Sequence, residues 1–252
     1  MKIDFVPLLQ LQRDLYNLPP GQARFQAYLD TLLNADGSDA ELLPMTAMNP
    51  MGKAHVSAML DALIAIDAEA IAEAAIAATL SQFDDVAKTF QLGLVVVDDR
   101  MGGWTNRYTS EFSSRFELQT CLKRGWLAVT LWTSEAPSAL KVREETLITL
   151  YRAAYIQRHG FAKTLQAMLN QAGYAMAMAG CQHPTLDADD LAYTHQVISP
   201  HLLTQDYATI MPCLFGDPAA HALGYQPQGL SDRAGFAWAL HQAQYHYPIG
   251  AN

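Results

Sequence analysis

Two short runs of large and β-branched apolar residues, set in a chain otherwise patterned for helices, limit the folds open to this sequence. Leu92-Gly93-Leu94-Val95-Val96-Val97 offers no polar residue to alternate with, which marks a buried strand. Gly125-Trp126-Leu127-Ala128-Val129-Thr130-Leu131-Trp132 is a second strand candidate, alternating less cleanly. The two are expected to pair around the 98–124 segment. A two-stranded sheet is marginal in water by itself, so helices must cover it.

Helical spacing supplies that cover. Phe5, Leu8, Leu9, Leu11 and Leu15 predict a helix over 5–17, stopped by Pro19-Pro20-Gly21. A second covers 22–33, and residues 38–52, with Pro44, Pro50 and Gly52, read as a loop. Helices over 53–66 and 68–82 follow, with Asp67 as the N-cap of the second. Beyond the second strand, helices are expected over about 137–158, 161–178, 187–198, 206–212, 217–223 and 231–245. The expectation is an α+β fold, predominantly helical, with about nine or ten helices and a two-stranded element at about 92–97 and 125–132. No linker or repeat interrupts it, so residues 1–252 are read as one globular, helix-rich domain.

Composition narrows the function classes. Half of the 252 residues are hydrophobic, enough for a core that needs no disulfide staple. Only 16% are charged, against roughly 25% in an ordinary soluble domain. Uncharged polar surface or a subunit interface must replace the missing charges, and a homo-oligomer is expected. The net charge is −9 and no basic block occurs. Phosphate backbones and anionic membranes are bound by clustered Lys and Arg, so neither nucleic acid nor membrane is an expected partner. Glu69 and Glu73 break the longest apolar stretch, 62–80, short of the roughly 18 residues a span needs. The start lacks a basic n-region, and the three cysteines have no paired spacing, so a cytoplasmic location is expected.

The segment leaving the first strand holds the densest chemistry: Asp98-Asp99-Arg100-Met101-Gly102-Gly103-Trp104-Thr105-Asn106-Arg107. Loops at strand ends are aimed by a rigid element. Here two carboxylates are followed by two glycines that permit close ligand approach, a stacking Trp104, and Asn106 and Arg107 for a polar or anionic group. In a helix over 105–117, Arg107, Glu111 and Arg115 stand one turn apart, a ladder that ordinarily lies in solvent. In the helix from 137, at roughly 100° per residue, Leu140, Leu147, Ile148, Tyr151, Ala154 and Tyr155 form an apolar stripe that includes Glu144. Glu145 points to the opposite flank, toward solvent. A carboxylate on a core-facing stripe must be paired, protonated or metal-bound, and general acids and bases are found in such places.

Other motifs are lacking. No H-E-x-x-H, E-x-x-H or G-x-S-x-G occurs, and the glycines match neither a phosphate loop nor a dinucleotide fingerprint. No metal or cofactor is expected; the nearest to ligands are Glu144, Asp98, Asp99 and His55, beside a Met59/Leu63/Ile66 stripe. Cys213, between Met211-Pro212 and Leu214-Phe215, reads as an inert buried thiol. Met45, Met48, Met51 and Met59 read as adaptable packing. The last helix carries Phe236, Leu240 and Ala243 on one face and Trp238, His241 and Tyr245 on the other.

Two functions remain. One is a small-molecule site or enzyme, with Glu144 or Asp98 as acid/base and Asp99, Trp104, Asn106, Arg107 and Glu111 holding a polar or anionic substrate. The other is a non-catalytic homo-oligomeric or partner-binding protein in which Glu144 sits in a structural ion pair.

Overall fold

A computed structural model describes residues 1–100 and 105–246. The chain divides into two compact units, residues 1–150 and 151–252.

The first unit is built on a parallel sheet of three strands in the order β1 (Lys2–Phe5), β2 (Thr89–Val97), β3 (Trp126–Trp132). The fold is therefore α+β and predominantly helical, with one strand more than the sequence discloses. Parallel strands need crossovers. Between β1 and β2 run α1 (Leu9–Leu15), α2 (Gln22–Leu32), α3 (Ala54–Ala65) and α4 (Ala68–Thr79); between β2 and β3 run α5 (Arg107–Phe116) and α6 (Gln119–Lys123). Covering helices explain why β2 is unbroken apolar: Leu92 and Leu94 to Val97 are all buried.

The start of the chain departs from its helical reading. Lys2–Phe5 forms a strand that registers against Thr89–Leu92, and the helix begins only at Leu9. Pro7 separates the two and lacks the N–H that either ladder would use. Leu8 N–H and Leu9 N–H, orphans at the helix start, donate to Glu69 Oε1 of α4 at 2.8 and 2.9 Å.

β1 is too short to flank all of β2. Beyond Leu92 that edge is completed by a side chain, since the Gln12 amide donates to Val96 O at 2.7 Å and accepts from Val96 N–H at 2.9 Å. Gln12 is fully buried. It replaces one rung of a ladder.

Leu8, Leu15, Tyr28, Leu32, Met45, Met48, Val95, Val97 and Trp132 form a core cluster of this unit. Asp67 does precede α4, but at φ 55°, ψ 49° and with no side-chain cap bond, so the expected carboxylate cap is not made.

The division of the chain falls within α7 (Ala139–His159). Leu140, assigned to the apolar stripe of this helix, is 62% exposed. The second unit adds α8 (Leu165–Met178), α9 (Ala188–Ile198), α10 (Tyr207–Phe215), α11 (Asp217–Leu223) and α12 (Ala234–His246). In α12 the Phe236, Leu240 and Ala243 face is buried, while Tyr245 on the other face is 85% exposed. Among the described residues, no helix is long and apolar enough to cross a membrane.

Candidate functional site

The register Val97↔Trp132 brings the ends of β2 and β3 level, so the residues after each strand leave the sheet side by side. Asp98 and Asp99 follow β2; Thr133 and Ser134 follow β3. Thr133 N–H extends the ladder by one bond to Val97 O at 3.1 Å. Its hydroxyl lies 3.2 Å from Asp98 Oδ1 and 3.0 Å from Asp99 Oδ1. In an open parallel sheet, the edge at the carboxyl ends of the strands is where ligands bind.

The two carboxylates then diverge. Asp98 faces α3 and is 6% exposed. It accepts from His55 Nε2 at 2.6 Å, Asn49 Nδ2 at 3.0 Å and Arg100 N–H at 3.3 Å. Burial pushes the Asp98 carboxyl up; the bonds from His55 and Asn49, aided by Arg100 N–H and the charge of His55, outweigh it and hold the group below the usual range. A carboxylate only accepts, so Nε2 of His55 is the donor in this bond, and Nδ1 is the nitrogen left to take up or give off a proton.

The loop before α3 is shaped to deliver Asn49 and His55. Asn49 also accepts from Met51 N–H at 2.9 Å through its side chain, and its backbone carbonyl accepts from Tyr16 Oη at 2.5 Å. A Cβ on Gly52 would stand 2.8 Å from Val56 Cγ2 and 3.1 Å from Tyr16 Oη, so only glycine fits this turn. The buried Arg24 guanidinium donates to Gly52 O at 3.1 Å and to Leu18 O, fastening the loop to the turn between α1 and α2. Burial pushes the Tyr16 phenol up, the nearby Asp98 charge adds to it, and Tyr16 stays neutral.

Asp99 turns toward α5. It accepts from Ser134 N–H at 2.9 Å and Ser134 Oγ at 2.6 Å, and pairs with Arg107 at 2.9 Å. Burial raises its carboxyl, but Ser134 and Arg107 more than reverse this and lower it.

Arg107 is a hub. It also meets Glu111 at 2.9 Å and Glu135 at 2.5 Å, with its guanidinium 4.2 Å from the Trp132 ring centre. Burial works against its charge, yet Glu111 and Glu135 raise its pKa further above its ordinary value. Arg115 shares Glu111 at 2.8 Å, and Lys141 bridges Glu135 at 2.8 Å and Glu145 at 3.0 Å. The Arg107/Glu111/Arg115 ladder is thus not solvated: Glu111 is 1% exposed.

Of the residues singled out from sequence, Asp98, Asp99, Arg107 and Glu111 meet around the ends of β2 and β3. Asn106 is the N-cap of α5, its side-chain oxygen accepting from Tyr108 N–H and Thr109 N–H at 3.0 and 3.2 Å. Trp104 lies outside the described residues. Glu144 is half-buried on α7. Glu145 of the same helix joins the cluster through Lys141, and its side chain is 14% exposed rather than solvent-facing. Burial raises the Glu145 carboxyl, and the charges of Lys141 and Arg115 more than offset this, lowering it.

Sequence reasoning did not find Asn49, Tyr16 or Thr133. The position of Thr133-Ser134 after the second strand, matching Asp98-Asp99 after the first, was the available signal, but it required knowing that the strands are parallel. Among the described residues, no three or more His, Cys, Asp or Glu side chains are grouped as metal ligands. Cys213 is fully buried and its thiol is pushed up to about 11 by burial, leaving it inert near neutral pH.

Comparison with known proteins adds a limited likeness. Over 58 residues the chain is 38% identical to the uncharacterized protein YjfC of Bacillus subtilis (strain 168), covering 23% of this chain and 19% of that protein. The match therefore spans about a fifth of the relative's length. No family model matches, and no solved structure matches.

Proposed function

We propose that this chain is an enzyme of acid–base chemistry acting on a polar or anionic small molecule, with His55 as the proton-transferring group and Asp98 as the residue that orients it. One observation carries the reading: a carboxylate that is 6% exposed backs an imidazole at 2.6 Å, at the carboxyl edge of a parallel sheet. A carboxylate in this position fixes the ring's tautomer and stabilises the imidazolium that forms when the ring takes a proton. Nδ1 of His55 is then the base that activates water or deprotonates a substrate hydroxyl. Two exposed cations flank the pair in sequence, Lys53 two residues before His55 and Arg100 two after Asp98, which favours a substrate carrying negative charge. Asp99, Arg107 and Glu111 serve as scaffold, because the guanidinium of Arg107 is already shared among Asp99, Glu111 and Glu135. They keep the ends of β2, β3 and α5 locked together under the reacting groups.

The test is a substrate panel of phosphomonoesters, phosphodiesters, carboxylic esters and amides, run with the wild-type chain, His55→Gln and Asp98→Asn. The reading expects turnover of at least one class that His55→Gln abolishes and Asp98→Asn lowers by roughly 10²–10⁴-fold, with His55→Gln still folded by circular dichroism. Turnover equal in all three proteins, or none by the wild type on any class, contradicts it.

A further inference from the structure

The second unit holds a pocket of about 310 Å³ with a different chemistry. Its apolar lining includes Leu169 and Gly173 of α8 and Ala239 and Ala243 of α12. A Cβ on Gly173 would stand 2.4 Å from Ala239 O, so glycine lets the two helices touch at backbone distance there. Larger side chains line the pocket around that contact.

Three of them are aromatic: Tyr155, Tyr174 and Trp238. Each is held in place. Tyr155 packs on Tyr174 with ring centres 5.3 Å apart, Tyr174 Oη accepts from Arg158 at 3.1 Å, and Trp238 is stacked on His195 at 5.6 Å with planes 5° apart. The polar lining includes the amides of Gln166, Asn170 and Gln242 together with the imidazole of His246. Gln166 Nε2 donates to Asn170 Oδ1 at 2.9 Å, which leaves a carbonyl acceptor on Gln166 and an amine donor on Asn170. Among the described lining residues there is no Asp, Glu, Lys or Arg.

We infer that this pocket binds an uncharged, planar nitrogen heterocycle of the adenine or adenosine kind. Preset aromatic faces favour a flat π-system over an aliphatic ligand. Neighbouring donor and acceptor groups from Gln and Asn match the donor–acceptor edge of adenine, which amide side chains read in pairs. With no Lys or Arg among the described lining residues, and His246 as the one of them that can carry positive charge, a phosphate lacks a guanidinium or ammonium partner, so the base or nucleoside is preferred to the nucleotide. The volume lies at the small end of the roughly 300–1,000 Å³ of ligand pockets, as a ligand of this size requires.

The experiment is calorimetric titration of the full chain with adenine, adenosine, adenosine monophosphate and methyl glucoside, repeated with Trp238→Ala and Asn170→Ala. Asn170 is exposed, so its variant tests the site even if Trp238→Ala does not fold. Expected are binding of adenine and adenosine, no tighter binding of the monophosphate, no binding of the glucoside, and weakening of about tenfold in Asn170→Ala and in folded Trp238→Ala. The inference is overturned by no binding of adenine or adenosine at millimolar concentration, by preference for the glucoside, by a monophosphate bound more than about tenfold tighter, or by undiminished adenosine binding in Asn170→Ala.

Discussion

Gln12→Leu isolates a place where a side chain stands in for a strand. The substitution nearly conserves volume but removes both partners of Val96, whose N–H and C=O are held by Gln12 at 2.9 and 2.7 Å. Val96 and Gln12 are both fully buried, so water cannot substitute. Leaving a buried backbone donor and acceptor unsatisfied costs roughly 1–3 kcal/mol each. Two such groups give roughly 2–6 kcal/mol, and better burial of leucine than of an amide offsets about 1–2 of it. The expected net loss is about 3 kcal/mol. Urea unfolding followed by far-ultraviolet circular dichroism measures it, and hydrogen exchange of the β2 amides locates it. A loss below about 0.5 kcal/mol, or unchanged protection at Val96, refutes the reasoning that Gln12 completes the sheet edge.

Arg107→Met leaves Asp99 and Glu111, with side chains 2% and 1% exposed, short of a shared cation. Removing one partner of a buried pair costs about 3–5 kcal/mol, and the low end applies because Glu111 keeps Arg115. The Asp99 carboxyl titrates lower folded than unfolded, so its contribution is full above about pH 4 and is lost as pH falls through the folded value. The deficit of the variant, read by urea unfolding, is therefore largest at pH 7 and narrows below pH 4. Gly173→Ala, whose Cβ meets Ala239 O at 2.4 Å, forces α8 and α12 apart and lowers stability by about 1–3 kcal/mol. Its melting temperature falls accordingly, and an unchanged one refutes the backbone contact.

What the sequence disclosed follows from how locally each feature is specified. β2 was legible because a both-sides-buried strand writes itself as an unbroken apolar run. β1 was not: Lys2, Ile3, Asp4 and Phe5 gain strand character only from register with Thr89–Leu92, more than eighty residues away. The segment after β2 was recognisable as a candidate site because its charges are contiguous, but the His55 partner of Asp98 lies 43 residues away on α3. His55 was visible as a histidine beside an apolar stripe and as a remote ligand candidate, with nothing local to pair it with Asp98. On α7 the stripe was legible over Leu147, Ile148, Tyr151 and Ala154, all buried, while Leu140 at its start is exposed. The burial of Glu145 was not, because it depends on Lys141 and on Glu135 from beyond β3. The buried state of the Arg107/Glu111/Arg115 ladder was likewise unreadable, since Glu135 and Lys141 reach it from beyond β3.

The proposed proton transfer depends on which nitrogen of His55 holds the proton. Imidazole nitrogen-15 spectra above pH 8, where an ordinary histidine is neutral, read this directly, with His55→Gln supplying the assignment. Protonated Nε2 bonded to Asp98 and a bare Nδ1 are the expected result; a proton on Nδ1, or rapid exchange between the two forms, contradicts it.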